Sequence, residues 1–272
     1  MNQPGGTVRR PAVAGQFYPG SREELSDAVS RLTVAGPLRK ALGVMAPHAG
    51  YVYSGRVAGE VYGQLELPDT FVIIGPNHTG LGAPASIMTA GVWKTPLGDV
   101  AIDSELAAEV AGSGNLLEEN SAAHAREHSI EVQLPFLQFL VNKPKIVPIC
   151  LMPLSAALCQ DIGLVIASTI KSTEKPVLII ASSDMSHYES QERAKGQDEL
   201  ALGEIMRLDG AGLLRTVQAN QITMCGAAPV AAMLAACREL GASRARLVRY
   251  ATSGDVTGDY SHVVGYAGVV II

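Results

Sequence analysis

The sequence predicts an α/β protein: a three-layer α/β/α sandwich with a central, mostly parallel or mixed sheet. Three observations carry that expectation. Short apolar runs of strand length recur at residues 41–46, 71–74 and 177–181. Segments with helical periodicity alternate with them, the signature of layered α/β folds. Each of these runs also passes straight into a loop carrying a histidine: His48, His78 and His187 respectively. In an open α/β sheet, ligands bind past the carboxyl ends of the parallel strands. Half of the six histidines are therefore expected to face one crevice.

The elements follow in order. Ser21 and Glu24, three residues apart, form a capping box that starts a helix reaching about Thr33. Strand 41–46 comes next. Ser54 is the expected cap of a helix that carries Val57, Val61 and Leu65 at four-residue spacing. Strand 71–74 leads into a stretch rich in Gly, Pro and Thr, and residues 93–99 read as a hairpin or turn beside a strand pair. Helices are expected over 104–111 and 127–140, with Pro135 either kinking the second or lying near its first turn. A buried strand at 145–151 and a helix at 155–168 follow. Beyond the strand at 177, helices are expected at about 189–207 and at 226–240, the latter rich in Ala, Met and Leu. Strands 246–251 and 263–272 close the sheet. No repeat, low-complexity tract or convincing linker divides the chain, so 1–272 is expected to form a single unit.

Composition narrows the function classes. With 47% hydrophobic and 17% charged residues, the 272-residue chain can bury a large core. A net charge of −5 offers no electrostatic attraction to nucleic acid or an anionic membrane. The longest apolar runs, such as 177–181 and 268–272, are too short to span a bilayer. The opening residues lack a charged segment followed by an apolar one, so no secretory signal is expected and the cytoplasm is the expected compartment. Cys150, Cys159, Cys225 and Cys237 show no C-x-x-C spacing, which favours reduced thiols.

The chemistry-bearing residues lie in the loops. His48 follows a proline and precedes Ala49-Gly50-Tyr51; His78 sits in a segment bounded by Gly75 and Gly80. Each is a candidate metal ligand, the other reading being a loop histidine hydrogen-bonded to backbone. Cys225 lies just before the Ala-rich helix, where the positive end of the helix dipole favours the thiolate, the ligating form. Cys150, Cys159 and Cys237 read as small core residues. Asp184 and His187 are expected beside the crevice. His187 is a candidate acid/base because an imidazole titrates near neutrality, whereas Asp184 alternatively caps a local turn. Glu127, His128 and Glu131 are expected to form a polar wall around the site. A rival reading takes His124-x-x-Glu127-His128 as the H-x-x-E-H pattern of a zinc hydrolase, which requires a helix already formed at His124. His262 receives no specific role.

Together, Ala46-Pro-His-Ala-Gly-Tyr51, Gly75-Pro-Asn-His78, Glu127-His-Ser-Ile-Glu131, Ser182-Ser-Asp-Met-Ser-His187 and Met224-Cys-Gly226 resemble the ordered motifs of the Memo family. Bacterial and archaeal members of that family are called AmmeMemoRadiSam system protein B. Gly15-Gln-Phe-Tyr-Pro19 matches its N-terminal segment, so the resemblance covers nearly the whole chain. It implies a fold like that of the class III extradiol dioxygenases (LigB-like), with His48 and His78 at the metal-ligand positions. Cys225 stands where the dioxygenases have a glutamate, and His187 resembles their acid/base histidine. The thiol is a softer and oxidisable donor, so extradiol cleavage does not transfer with the fold. The resemblance implies one metal ion, Fe(II) or Cu, with Zn as a further option. The expected activity is that of a metal-binding, oxidoreductase-like protein acting on a small molecule. The alternative is a non-catalytic adaptor that binds metal or a peptide, with a radical-SAM protein and an AMMECR-type protein as the implied partners.

Overall fold

The apolar runs that read as strands line up in a single sheet. The computed structural model describes residues 7–272. Its first half runs β1 (Val8–Arg9), α1 (Arg22–Leu32), β2 (Gly43–Ala46), α2 (Tyr51–Tyr62), β3 (Thr70–Pro76), β4 (Ala85–Ile87), β5 (Val92–Thr95), β6 (Gly98–Ile102) and α3 (Ser104–Gly112). Next come β7 (Glu118–Glu119), α4 (Ala122–Ala125), a 3-10 turn (Glu131–Gln133), α5 (Leu134–Leu140), β8 (Lys145–Leu151) and α6 (Ala156–Ser172). The last part runs β9 (Val177–Ser182), β10 (His187–Glu189), α7 (Gln191–Met206), α8 (Gly210–Ala219), α9 (Ala227–Glu239), β11 (Ala245–Thr252), α10 (Gly254–Thr257) and β12 (Val263–Ile271).

The strands pair in the order β1-β5-β6-β8-β3-β9-β2-β12-β10, with β11 also on β12 and β4 also on β8. From β6 to β2 every pairing is parallel; β12 then joins β2 and β11 antiparallel. β2, β3 and β9 are buried at every position, as parallel strands covered on both faces must be. Helices α1, α2 and α5 pack together on one face, and α3, α6, α8 and α9, with α7 beside α8, on the other. This is the three-layer arrangement the sequence predicts.

Register decides where the loops start. Ala46 lies opposite Ser182, and Ile74 opposite Ala181. The chain therefore leaves β2, β3 and β9 side by side at one sheet edge, and His48, His78 and residues 183–187 follow within a few positions. Two glycines bring further segments onto that edge. A Cβ on Gly75 would lie 2.4 Å from Ser129 Oγ, and one on Gly226 would lie 2.4 Å from Ser183 Cβ. Only hydrogen at these positions lets the 127–130 loop and the start of α9 close onto the strand ends.

Ser21 caps α1 as expected, accepting from Glu24 N–H at 3.3 Å while its hydroxyl donates to the Glu24 carboxylate at 2.8 Å. Two other helix expectations need correction. Ser54 is not the cap of α2, which starts at Tyr51 with Gly50 in the capping position. Tyr51 N–H instead donates to Phe17 O at 2.7 Å, and the Ser54 hydroxyl donates back to Ala49 O at 2.9 Å. A contact from the distant N-terminal segment thus moves the start of the helix. The helix expected over 127–140 begins only at the 3-10 turn, because the Glu127 carboxylate accepts the backbone N–H groups of His128 and Ser129, both at 2.9 Å. Such local side-chain bonds compete with a helix. Pro135 then sits in the first turn of α5, where its missing N–H costs no hydrogen bond. Helix α8 was not anticipated; its glycine-rich start hides it, although Asp209 caps it by accepting from Gly212 N–H at 2.7 Å.

Candidate metal centre

Ring nitrogens of His48, His78 and His128 all lie within 4.8 Å of one another. His48 is buried, His128 half-buried and His78 exposed. Hydrogen bonds behind each ring set which nitrogen is available. Ser182 Oγ donates its only proton to Ser129 O at 2.7 Å and accepts from Gln133 Nε2 at 2.8 Å. The same amide nitrogen donates to Pro47 O, and Gln133 Oε1 accepts from the Tyr62 hydroxyl, which fixes the amide orientation. Ser182 can therefore only accept from His48 Nδ1, 2.9 Å away, so Nδ1 carries the proton and Nε2 keeps its lone pair. His78 Nδ1 lies 2.9 Å from Glu127 Oε1 and donates to it, leaving Nε2 unengaged. His128 Nδ1 lies 3.6 Å from the same carboxylate. Carboxylates and hydroxyls behind imidazoles in this way orient metal-binding histidines.

Electrostatics favours neutral rings at His48 and His128. Burial lowers His48 well below the usual histidine range, and the neighbouring His128, His78 and His187 add to this. His128 is also lowered, first by burial, against a smaller upward pull from Glu127. Burial alone would raise Glu127, but the His78 hydrogen bond and charge, with Ser129 N–H and His128, bring its carboxyl down to about 2. It is ionised at neutral pH and accepts from His78 N–H at 2.6 Å as well.

Cys225 stands at the edge of this group. Its Sγ lies 3.3 Å from His48 Nε2 and accepts from Asp184 N–H at 3.3 Å. It is half-buried, and all four cysteines are free. The expectation that the helix start would favour its thiolate is reversed. Burial, then the nearby Asp184 carboxylate, push the thiol well above its ordinary value in the absence of a cation. Asp184 itself is raised to about 6 by burial. Its Oδ1 accepts from His48 N–H at 2.8 Å and Ala49 N–H at 3.3 Å, so it holds the 47–50 loop in place. His187 Nδ1 lies 2.8 Å from Thr223 O and must donate to that carbonyl, leaving Nε2 free. A cleft of about 650 Å³ joins these groups: His48, His78, His128, Asp184 and His187 line it, with Phe17, Tyr53 and His262.

Two residues of the expected polar wall take different places. His128, expected behind the site, contributes a ring nitrogen to the group itself. Glu131 serves the N-terminal segment: its carboxylate accepts from Arg9, Tyr18 and the N–H groups of Ala12 and Val13. That clamp seats Phe17 edge-on against His128, with ring centroids 4.8 Å apart. The zinc-hydrolase geometry does not form, because α4 ends at Ala125 and Glu127 and His128 lie in the following loop. His124 is fully buried against Trp93, away from the cleft. Sequence reasoning missed Ser182 and Gln133 as supports of His48, and Phe17 and His262 as cleft walls. Ser182 lies within a quoted motif; Gln133 carries no sequence signal at all.

The family model described as Memo-like protein matches residues 9–270. A MEMO1 family protein of Methanosarcina mazei is 45% identical over 97% of this chain and 99% of its own length. Another, from Methanocaldococcus jannaschii, is 43% identical over 97% of this chain and 99% of its own length. The crystal structure of an uncharacterized protein from Escherichia coli K12 superposes with a TM-score of 0.55 and 9% identity, over 85% of this chain and all of that one. It is a likeness of fold alone. On the match along almost its full length, the chain belongs to the Memo family.

Proposed function

We propose that this protein binds one iron or copper ion on His48 and His78 and carries out oxidoreductase-like chemistry on a small molecule held in the cleft. The observation that carries this reading is the convergence of imidazoles, two of which, His48 and His78, already have their far nitrogens committed. Such donors suit a transition-metal cation, and their spread fits the group before the ion draws them in. Cys225 and His128 compete for the third place: the sulfur touches His48, while the His128 nitrogen lies within the imidazole group. A bound iron or copper ion would supply redox chemistry and polarise a ligand. Around it, Asp184 holds the His48 loop, Glu127 orients His78, and His187 offers a free Nε2 to take or return a proton.

The exposed Tyr188 on the cleft wall, at 76%, supports a second reading. In that reading the protein is an adaptor whose cleft takes a peptide, working in the cytoplasm with a radical-SAM or AMMECR-type partner. No helix among the described residues is long and apolar enough to cross a membrane. Metal analysis of anaerobically purified protein, beside Cys225→Ser and His128→Ala, tests the ligand set. The variant that loses its metal names the third ligand, and retention by His48→Ala would refute the site. Oxygen consumption with reductants and small phenols then separates the readings, since stoichiometric metal without turnover favours the adaptor.

A further inference from the structure

Cys225 does not line the cleft that holds the histidines. It lines a second one of about 750 Å³, between the ends of β3 and β8 on one side and α8 and the start of α9 on the other. His78 lines both clefts, so the two meet at the site from different directions. Their characters differ. The walls of the second cleft are Leu151, Met152, Leu154, Leu214, Val217 and Met224. The polar side chains along them are engaged: Asn77 donates to Leu81 O and accepts from Thr79 and Gly80, and Ser155 caps α6. Arg215 and Gln218 are exposed to solvent, which leaves the Cys225 sulfur and the His78 ring as the chemistry this cleft presents to a small visitor.

We propose that the second cleft is a separate binding site and entrance for small, uncharged, apolar molecules, ending on the Cys225 sulfur. A mainly apolar wall, whose Arg215 is exposed and paired with Asp209 at 3.5 Å, gains from apolar solutes and compensates a charged one poorly for lost water. A bulky or charged substrate would use the histidine-lined cleft, and a small apolar reactant the other. The inference deepens the metal-centre reading but does not need the ion for its test.

The test is alkylation of Cys225 in metal-free protein by N-ethylmaleimide, followed by mass spectrometry. Cys150, Cys159 and Cys237 are buried and serve as internal controls. Leu214→Trp, and separately Met152→Trp, plug the second cleft; Gln16→Trp, at an exposed position, fills the first. Far-ultraviolet circular dichroism verifies that each variant folds. Either plug of the second cleft is expected to slow alkylation about tenfold, and Gln16→Trp less than about twofold, since access governs thiol reactivity. Charged iodoacetate should lag behind neutral iodoacetamide at Cys225 by more than it does on free cysteine. Slowing by Gln16→Trp alone, equal slowing by all three variants, or no slowing by any would overturn the proposal. None of these results bears on metal content, which is measured separately.

Discussion

Imidazoles in two places in this protein meet opposite fates. In the cleft, His48 and His78 each hand a proton to a fixed partner and turn a lone pair toward a shared space. Some residues away, His124 is enclosed beside Trp93, and neither ring nitrogen has a hydrogen-bond partner of good geometry. Burial, then the Arg9 charge, lower its pKa to about 4, against smaller upward effects from Glu127 and the Ser86 backbone. Burial alone therefore does not aim a histidine's lone pair at a shared space. What separates the sets is the supporting hydrogen bonds and a route to the cleft.

The sharpest way to break this comparison is to remove a ring from each set. His48→Ala is expected to lower metal affinity by more than about 100-fold, beyond the range typical of supporting residues. His124→Ala should leave affinity unchanged, as isothermal titration would report. Equal losses would mean that the imidazole group is not the binding site. A subtler cut leaves the proposed ligands and removes their support. Ser182→Ala takes away the acceptor behind His48 and is expected to weaken metal binding about 10- to 100-fold. Nitrogen-15 NMR of the histidines should show a mixture of His48 tautomers in that variant and a single Nδ1–H form in the parent.

His124 makes the next prediction, through pH. Its folded pKa of about 4 lies below the ordinary 6.5, so between those values the unfolded chain carries a proton that the folded one lacks. The associated stability is fully present above 6.5 and is lost as pH falls toward 4. The slope is about 1.4 kcal/mol per pH unit for one such proton. His124→Leu should remove that slope from urea melts taken across this window. Asp184 runs the other way: raised to about 6, it adds stability as pH falls below that value. The difference between variant and parent, rather than the absolute curve, is therefore the quantity to read. The smallest effect concerns Tyr188, a bulged residue between His187 and Glu189 with φ of +59°. Tyr188→Gly relieves that left-handed strain and is expected to change stability by about 1 kcal/mol in the favourable direction, by thermal or urea denaturation.

Much of this arrangement was legible in the chain. The buried runs at β2, β3 and β9 announced a parallel sheet, and strand-end loops carrying histidines announced the crevice. The capping box at Ser21 and Glu24 marked its helix correctly, because both partners of that contact are three residues apart. Expectations failed where a distant partner, or a side chain bonding its own backbone neighbourhood, intervened. Phe17 O moved the start of α2 from Ser54 to Tyr51, and Glu127 dissolved a helix that its apolar pattern suggested. The rival H-x-x-E-H reading fails because it describes one face of a helix, and the helix stops at Ala125.

The sequence by itself determined the family, the alternation of strands and helices, and which residue types stand at the strand ends. These depend on local pattern and on motifs that persist in order along the chain. Only the tertiary structure decided that His128 joins His48 and His78, that Glu131 clamps Arg9 and Tyr18, and that Cys225 opens onto its own cleft. Those outcomes depend on register and on close approaches such as Gly75 to Ser129. They turn on ångström-scale differences between segments 50 to 177 residues apart, for which one-dimensional spacing holds no ruler.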